Sequence, residues 1–313
     1  MEVEIPQLES VKRQLMNHQR PKKPKMLVVD DEPDNLDLLY RTFRRNFNVF
    51  KAESGVKALE ILGEEGEVAV IISDQRMPEM KGTEFLSKTV PQFPNTVRII
   101  LTGFTDIEDL VDAINSGQVY KYITKPWDPN ELKAVVERAA ETYELLNQRT
   151  AELNRAQAQT QLLATIMEAA QVATNRESLL TTIAEAVAQQ FQADVCILQS
   201  IQDNHLVPIQ GHYSNEGGVE NWLDRDPIAQ ESMKTGTVQA SINITADPAL
   251  ATLPHYQSSG IQAHINVPIS YRTRQIALLS VQWKHPCQMS PDDLTSLYLV
   301  AQQIALAITS LDS

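Results

Sequence analysis

The chain has 313 residues, of which 42% are hydrophobic and 21% charged, with 40 acidic against 27 basic side chains and a formal net charge of −13. That length implies two cores, and that charge excludes a generic electrostatic attraction to nucleic acid or anionic lipid. Two cysteines, Cys196 and Cys287, with no Cys-x-x-Cys pair exclude a disulfide framework and a thiolate metal site. No apolar run approaches the ~20 residues of a membrane helix, and the first residues lack the apolar centre of an export signal, so a cytoplasmic protein without membrane insertion is expected.

Residues 1–24 carry Lys12, Arg13, Arg20, Lys22 and Lys23 around Pro21 and Pro24 and read as a flexible basic leader. Short apolar runs follow: MLVV (26–29), NVF (48–50), VAVII (68–72), VRIIL (97–101) and VYKYI (119–123). Runs apolar on both faces, alternating with helical patterns, predict a doubly wound, five-stranded parallel sheet over 25–140. Its last helix has Asp128 as N-cap, Pro129 at the first position and Glu131 at the third. No Gly or Pro stops it before Met167. Leu132, Ala139, Leu146, Leu153, Thr160 and Met167 fall seven apart, with Val136, Tyr143, Thr150, Gln157 and Ala164 between them. Such a seam predicts a helical or coiled-coil linker over 141–167 that pairs two chains in parallel. A single amphipathic helix lying on its own domain is the other reading.

Over 168–313 the pattern turns to α+β. A helix (178–191) precedes strands at 194–201 and 206–213; a polar irregular stretch leads to a strand at 237–244, a Pro-bounded loop, and strands at 263–270 and 275–283. A helix over 291–311 closes the segment. Short turns between successive strands predict an antiparallel sheet flanked by helices.

Chemistry gathers at the strand ends of the first domain. Asp30 and Asp31 follow MLVV, Asp74 follows VAVIIS, Thr102 ends VRIIL, and Lys125 follows VYKYIT. In a doubly wound sheet these ends converge on one crevice. Clustered carboxylates raise one another's pKa unless a cation neutralises them, and hard oxygen ligands select a Mg²⁺-type ion. Taken singly, an Asp after a strand is commonly a helix cap and a Lys-Pro commonly a loop.

The segments LVVDDEPDN, IISDQRMPEMKGTEFL, LTG and YITKPWDPNEL resemble, in order and spacing, the motifs of response-regulator receiver domains, which have a flavodoxin-like fold. The resemblance implies Asp74 as phosphoacceptor, and Mg²⁺ held by Asp30, Asp31, Asp74 and the backbone carbonyl of Arg76. It implies phosphoryl binding by Thr102 and Lys125, and Tyr122 as the aromatic that turns inward on activation. Arg76 and Phe104 are bulky neighbours of the attacking-water path. A histidine kinase is the implied donor, and no enzymatic activity is expected beyond the receiver's own phosphoryl transfer and dephosphorylation.

The order of elements beyond 160, and the stretch AHINVPISYRTRQIALLSVQW (263–283), resemble a GAF domain. Bilin-carrying members place a Cys in the middle region, and 201–286 has none, so covalent bilin is not expected and the ligand is left unknown. Cys196 reads as a buried small hydrophobe, and Cys287 as a partly exposed spectator or a redox sensor. His205, His212, His255, His264 and His285 show no ligand spacing, while Trp222, Tyr256 and Trp283 suit a pocket or a core equally. Without a recognition helix, direct binding of nucleic acid is not expected. The resulting expectation is a response regulator signalling through a downstream protein partner, homodimeric through the linker and GAF-like domain. A small-molecule sensor and a constitutive scaffold are the alternatives.

Overall fold

A parallel sheet buried on both faces needs strands that are apolar throughout, and the first half of the chain supplies them. The computed structural model describes residues 8–18, 23–103, 118–218 and 220–311. They form two units, Pro21–Asn154 and a second made of Met1–Arg20 together with Arg155–Ser313.

In the first unit the strands are Lys25–Val29 (β1), Asn48–Ala52 (β2), Val70–Asp74 (β3), Val97–Thr102 (β4) and Lys121–Thr124 (β5), all parallel, in the order β2-β1-β3-β4-β5. Alternate residues go to opposite faces. Met26, Val28, Ile72, Ile99 and Leu101 pack against the helix Pro33–Phe43, through Leu36, Leu39 and Phe43, and against Leu132, Val135, Val136 and Ala139 of the long helix. Leu27, Val29, Ile71 and Ile100 pack against the helices Gly55–Glu65 and Gly82–Thr89. The third strand is shifted two residues along from the expected 68–72, because Ser73 and Asp74 still pair with Ile100 and Leu101 of β4. Phe104 lies outside the described residues.

The helices among the described residues are numbered in order: Glu9–His18 (α1), Pro33–Phe43 (α2), Gly55–Glu65 (α3), Gly82–Thr89 (α4), Pro129–Val172 (α5), Arg176–Gln190 (α6), Pro227–Thr235 (α7), Pro248–Ala251 (α8), Pro254–Ser259 (α9) and Pro291–Ser310 (α10). Asp128 caps α5, its Oδ1 accepting the N–H groups of Asn130 and Glu131 at 2.9 and 3.0 Å. This helix then runs 44 residues without a break.

The parallel seam expected along α5 does not survive in its first two heptads. Leu132 and Ala139 are 1% and 0% exposed within the receiver-side core, where a partner helix cannot reach them. Leu146 and Leu153 are exposed.

The second unit's strands are Val195–Gln202 (β6), His205–Ser214 (β7), Gln239–Ser241 (β8), Ala263–Tyr271 (β9) and Arg274–Trp283 (β10), antiparallel in the order β7-β6-β10-β9-β8. One face packs on α6, α10 and the end of α5. A Cβ on Gly211 would stand 2.0 Å from the carbonyl carbon of Leu180, so β7 lies directly on the backbone of α6. The other face is covered by Trp222, Leu223, Ile228, Ile244, Tyr256 and Ile261.

Three expectations are corrected here. Residues 9–18 are not a flexible leader: they form α1, and Leu8, Val11 and Leu15 are buried in the second unit's core. The stretch before β8 holds α7, started by Asp226 as N-cap and Pro227 and ended by Gly236 at φ 66°. The strand expected over 237–244 is only three residues long, because the chain turns into a short 3-10 segment at Ile244–Ala246.

Candidate functional site

The strand order brings the ends of β1, β3, β4 and β5 together. Asp30, just past β1, is fully buried. Its Oδ1 accepts the N–H of Glu32 at 2.9 Å, and the Asn35 amide donates to Oδ1 and Oδ2 at 3.1 and 3.2 Å. Asp74, at the end of β3, is 6% exposed, and its Oδ2 accepts the N–H of Arg76 at 2.6 Å. The ammonium of Lys125 joins the two carboxylates. It lies 3.1 Å from Asp30 Oδ2 and pairs directly with Asp74 Oδ1. Thr102 is buried beside them, and its backbone carbonyl accepts the N–H of Lys125 at 2.7 Å.

The loop after Asp74 is held close. Gln75 is buried, accepts the N–H of Thr83 and donates to its hydroxyl, and its carbonyl accepts the N–H of Gly82. A Cβ at position 82 would lie 2.1 Å from the carbonyl oxygen of Asp74, so only glycine allows the return of the chain over the acceptor.

Two carboxylates facing one ammonium leave a net negative charge in a buried place. Burial pushes the carboxyl of Asp74 above its ordinary range, Asp30 adding to the rise, against the pull of Lys125 and the Arg76 N–H. Burial works to lower the Lys125 ammonium, but its bonds to Asp74 and Asp30 outweigh this and hold it above the usual lysine value.

The expected residues thus converge unequally. Asp30, Asp74, Thr102 and Lys125 meet, and Asp31 stands exposed at the rim. Among the described residues no three His, Cys, Asp or Glu side chains form a ready-made metal cage. The donor set still suits Mg²⁺: it is all oxygen, carries uncompensated negative charge, and Mg²⁺ needs only one or two carboxylates while keeping several waters. Tyr122 is half-buried against the α3 and α4 side of the core.

A second polar cluster, in the other unit, was not legible as such in the sequence. Asp226 is fully buried; its carboxylate accepts the N–H of Ala229 at 2.8 Å, the hydroxyl of Tyr256 at 2.6 Å and an imidazole N–H of His255 at 3.1 Å. Because the Tyr256 proton goes to Asp226, His264 Nδ1 donates to the Tyr256 oxygen (2.9 Å). Its Nε2 then accepts from Ser280 (2.8 Å), whose oxygen accepts from Gln282 (2.8 Å). Burial pushes the imidazole of His264 down to about 4, so it is neutral. Trp222 stacks on His255 with centroids 4.5 Å apart.

His205 and His285 bond only to neighbouring backbone carbonyls. Trp283 joins the opposite core, donating to the carbonyl of Phe191. Cys287 is buried, not partly exposed, and burial raises both thiols, which removes the case for a redox sensor.

Fold and site define an acidic crevice bridged by an ammonium on a doubly wound parallel sheet, followed along the chain by an antiparallel α+β domain. The family model for the response regulator receiver domain matches residues 26–137, and that for the GAF domain matches 175–308. The chain belongs to the response-regulator receiver family; it is a two-component response regulator in which a receiver domain precedes a GAF domain.

Among curated relatives, the hydrogenase transcriptional regulatory protein HoxA of Cupriavidus necator is 41% identical over 120 residues, 38% of this chain and 25% of the relative. A chemotaxis protein CheY homolog of Campylobacter jejuni is 33% identical over 117 residues, 36% of this chain and 89% of the relative. A solved structure described as adenylate cyclase from Rhodopirellula baltica is 33% identical, covering 42% of this chain and 98% of that one, with a TM-score of 0.41. The chain spans about a quarter of the length of the HoxA relatives it matches. Among the described residues no helix is long and apolar enough to cross a membrane.

Proposed function

We propose that Asp74 is the phosphoacceptor of a cytoplasmic phosphorelay and that the GAF domain delivers the output through protein contacts. The observation that carries this reading is the pair of buried carboxylates, Asp30 and Asp74, from different strand ends, sharing the single ammonium of Lys125. An Asp74 carboxylate oxygen attacks the phosphorus of a histidine kinase's phosphohistidine in line. The P–N bond breaks and the imidazole leaves with the bonding pair, taking a proton. Lys125 and the Thr102 hydroxyl bind phosphoryl oxygens. Asp30, Asp31, Asp74 and the carbonyl of Arg76 would hold Mg²⁺, which supplies charge neutralisation at those oxygens. Tyr122, half-buried on the α3 and α4 side of the sheet, responds to the new bond between Thr102 and the phosphoryl group. The receiver performs no other chemistry.

From there α5 carries the change, being part of both cores. The GAF domain's second sheet face is packed by Trp222, Tyr256 and the Asp226 cluster, which supports output by binding a downstream protein over capture of a metabolite. A groove of about 480 Å³ between Leu163, Met167 and Ala170 of α5 and Leu306 of α10, with Met167 and Leu306 exposed, supports homodimerisation through the linker and GAF domain.

Labelling by acetyl phosphate tests the acceptor. It is expected with Mg²⁺ and is lost in Asp74→Asn; labelling that persists in Asp74→Asn, or runs equally well in EDTA, rules the site out.

A further inference from the structure

The helix ahead of the receiver is folded into the unit behind it. Leu8, Val11 and Leu15 make one apolar stripe, each at most 1% exposed, in the core that also contains Val300, Ala301 and Ile304 of α10 and Leu162 and Ile166 of α5. The whole receiver therefore interrupts the second unit, which takes α1 from before β1 and resumes at Arg155. On one side α5 runs unbroken from Leu132 in the receiver's core to Ala169 in the other. On the other side, six residues, 19–24, join α1 to β1. Such a segment spans about 20 Å at full extension. The receiver is thus joined covalently to α1 by a segment no longer than that.

Of the two attachments α1 is the weaker. Its ten residues are too few to stay helical in water without a surface to lie on. The hold comes from three apolar side chains, while Met16 is 59% exposed. The flank bearing Gln14 borders a cavity of about 570 Å³, shared with Gln239, Ser241 and Asn243 around β8 and with Pro227 and Glu231 of α7. An element held by few apolar contacts and open along one flank is among the first to open locally.

We propose that α1 is a releasable strap: its berth against α10 is a docking site for the chain's own amphipathic helix, with apolar residues at i, i+3 and i+7, and the receiver sets how often that berth is empty. The strap couples the two units independently of α5. Its trigger rests on the reading of Asp74 given above; its release does not.

Hydrogen exchange on the full chain, read by peptide mass spectrometry, tests both. Amides 9–18 should exchange at least about tenfold faster than those of 297–308 in α10, showing that α1 opens by itself. In Leu15→Ala that gap should widen about tenfold again, with receiver amides unchanged. Beryllofluoride with Mg²⁺ should change the rate at 9–18 by about threefold or more, its binding checked separately by protection of Asp74 from acetyl phosphate. If α1 and α10 exchange together, in wild type and in Leu15→Ala, α1 is an integral helix and the strap is overturned. Unchanged α1 exchange with beryllofluoride bound also overturns it and leaves Asp74 standing. If beryllofluoride does not bind, the Asp74 reading fails, and the comparison of α1 with α10 decides the strap alone.

Discussion

Replacing Lys125 with Met removes the ammonium that pairs with both Asp30 and Asp74 while keeping most of the side-chain volume. Breaking a buried ion pair from one side costs about 3–5 kcal/mol, because the remaining charge stays buried without a partner. Asp30 and Asp74 have side chains 1% and 9% exposed, but that of Lys125 is 28% exposed, so water screens part of the loss and the lower end, ~3 kcal/mol, is expected. At ~4 °C per kcal/mol for a domain of this size, the receiver's melting temperature should fall by ~12 °C. Trp127 is the receiver's tryptophan, Trp222 and Trp283 lying in the other unit, so its fluorescence reports this transition. Mg²⁺ at a hundredfold excess over its dissociation constant should return about 2.7 kcal/mol.

The pH dependence of the same variant has a definite sign. Asp74 has a raised carboxyl pKa, first through burial; such a group gives stability that is complete below its unfolded value of about 3.9 and is lost as pH rises through the folded value. Without Lys125 the rise is larger, so the variant's deficit against wild type should shrink as pH is lowered from about 7 toward 4. A variant melting within about 2 °C of wild type in EDTA, or one that Mg²⁺ does not stabilise, would refute the reasoning that the crevice holds uncompensated charge.

Asp31→Ala should lower Mg²⁺-dependent phosphorylation while thermal stability stays level or rises, since the side chain is exposed and an acid is lost from an already acidic crevice; a large loss of stability would make Asp31 a structural cap instead. Asp226→Asn should lower the GAF domain's transition by about 3 kcal/mol, through lost charge-assisted bonds from Tyr256, His255 and Ala229, with the Trp127 signal unchanged; a shift under about 1 kcal/mol means the cluster is dispensable. Leu146→Glu with Leu153→Glu should give monomers in sedimentation equilibrium and leave Asp74 labelling intact, because both side chains are exposed; a dimer that persists places the contact elsewhere.

The receiver was legible because its signals are local and redundant. Each strand is a short apolar run, and each site residue sits immediately after one, so topology alone carries Asp30, Asp74, Thr102 and Lys125 to one place. Asp31 was the exception, since adjacent residues leave a strand end in opposite directions and spacing does not say which of two acids turns inward. The Asp226 cluster was harder. Its members are Asp226 at a helix cap, His255 and Tyr256 in α9, and His264 on β9, and no sequence period links a cap to a strand. One signal was available: Asp226-Pro227 repeats the cap that starts α5 at Asp128-Pro129, and would have placed α7.

The linker shows why a heptad pattern cannot by itself assign a partner. Leu132 and Ala139 satisfy the spacing of an intermolecular seam, yet both are consumed by the chain's own sheet through Val28, Ile99 and Leu101. The same helix meets its second core at Leu162, Ile166 and Ala169, spaced four and three apart as a helix face demands. Between these stretches Leu145, Leu146 and Leu153 are exposed, and the helix is held by polar contacts, Asn147 and Thr150 with Asn95 and Arg155 with Asp292 and Asp293. A pattern continuous in sequence is thus divided into three functions by what the fold lays against it. The middle span has less apolar cover than the stretches on either side of it, so it is the part of α5 that should open at lowest cost when the receiver changes state.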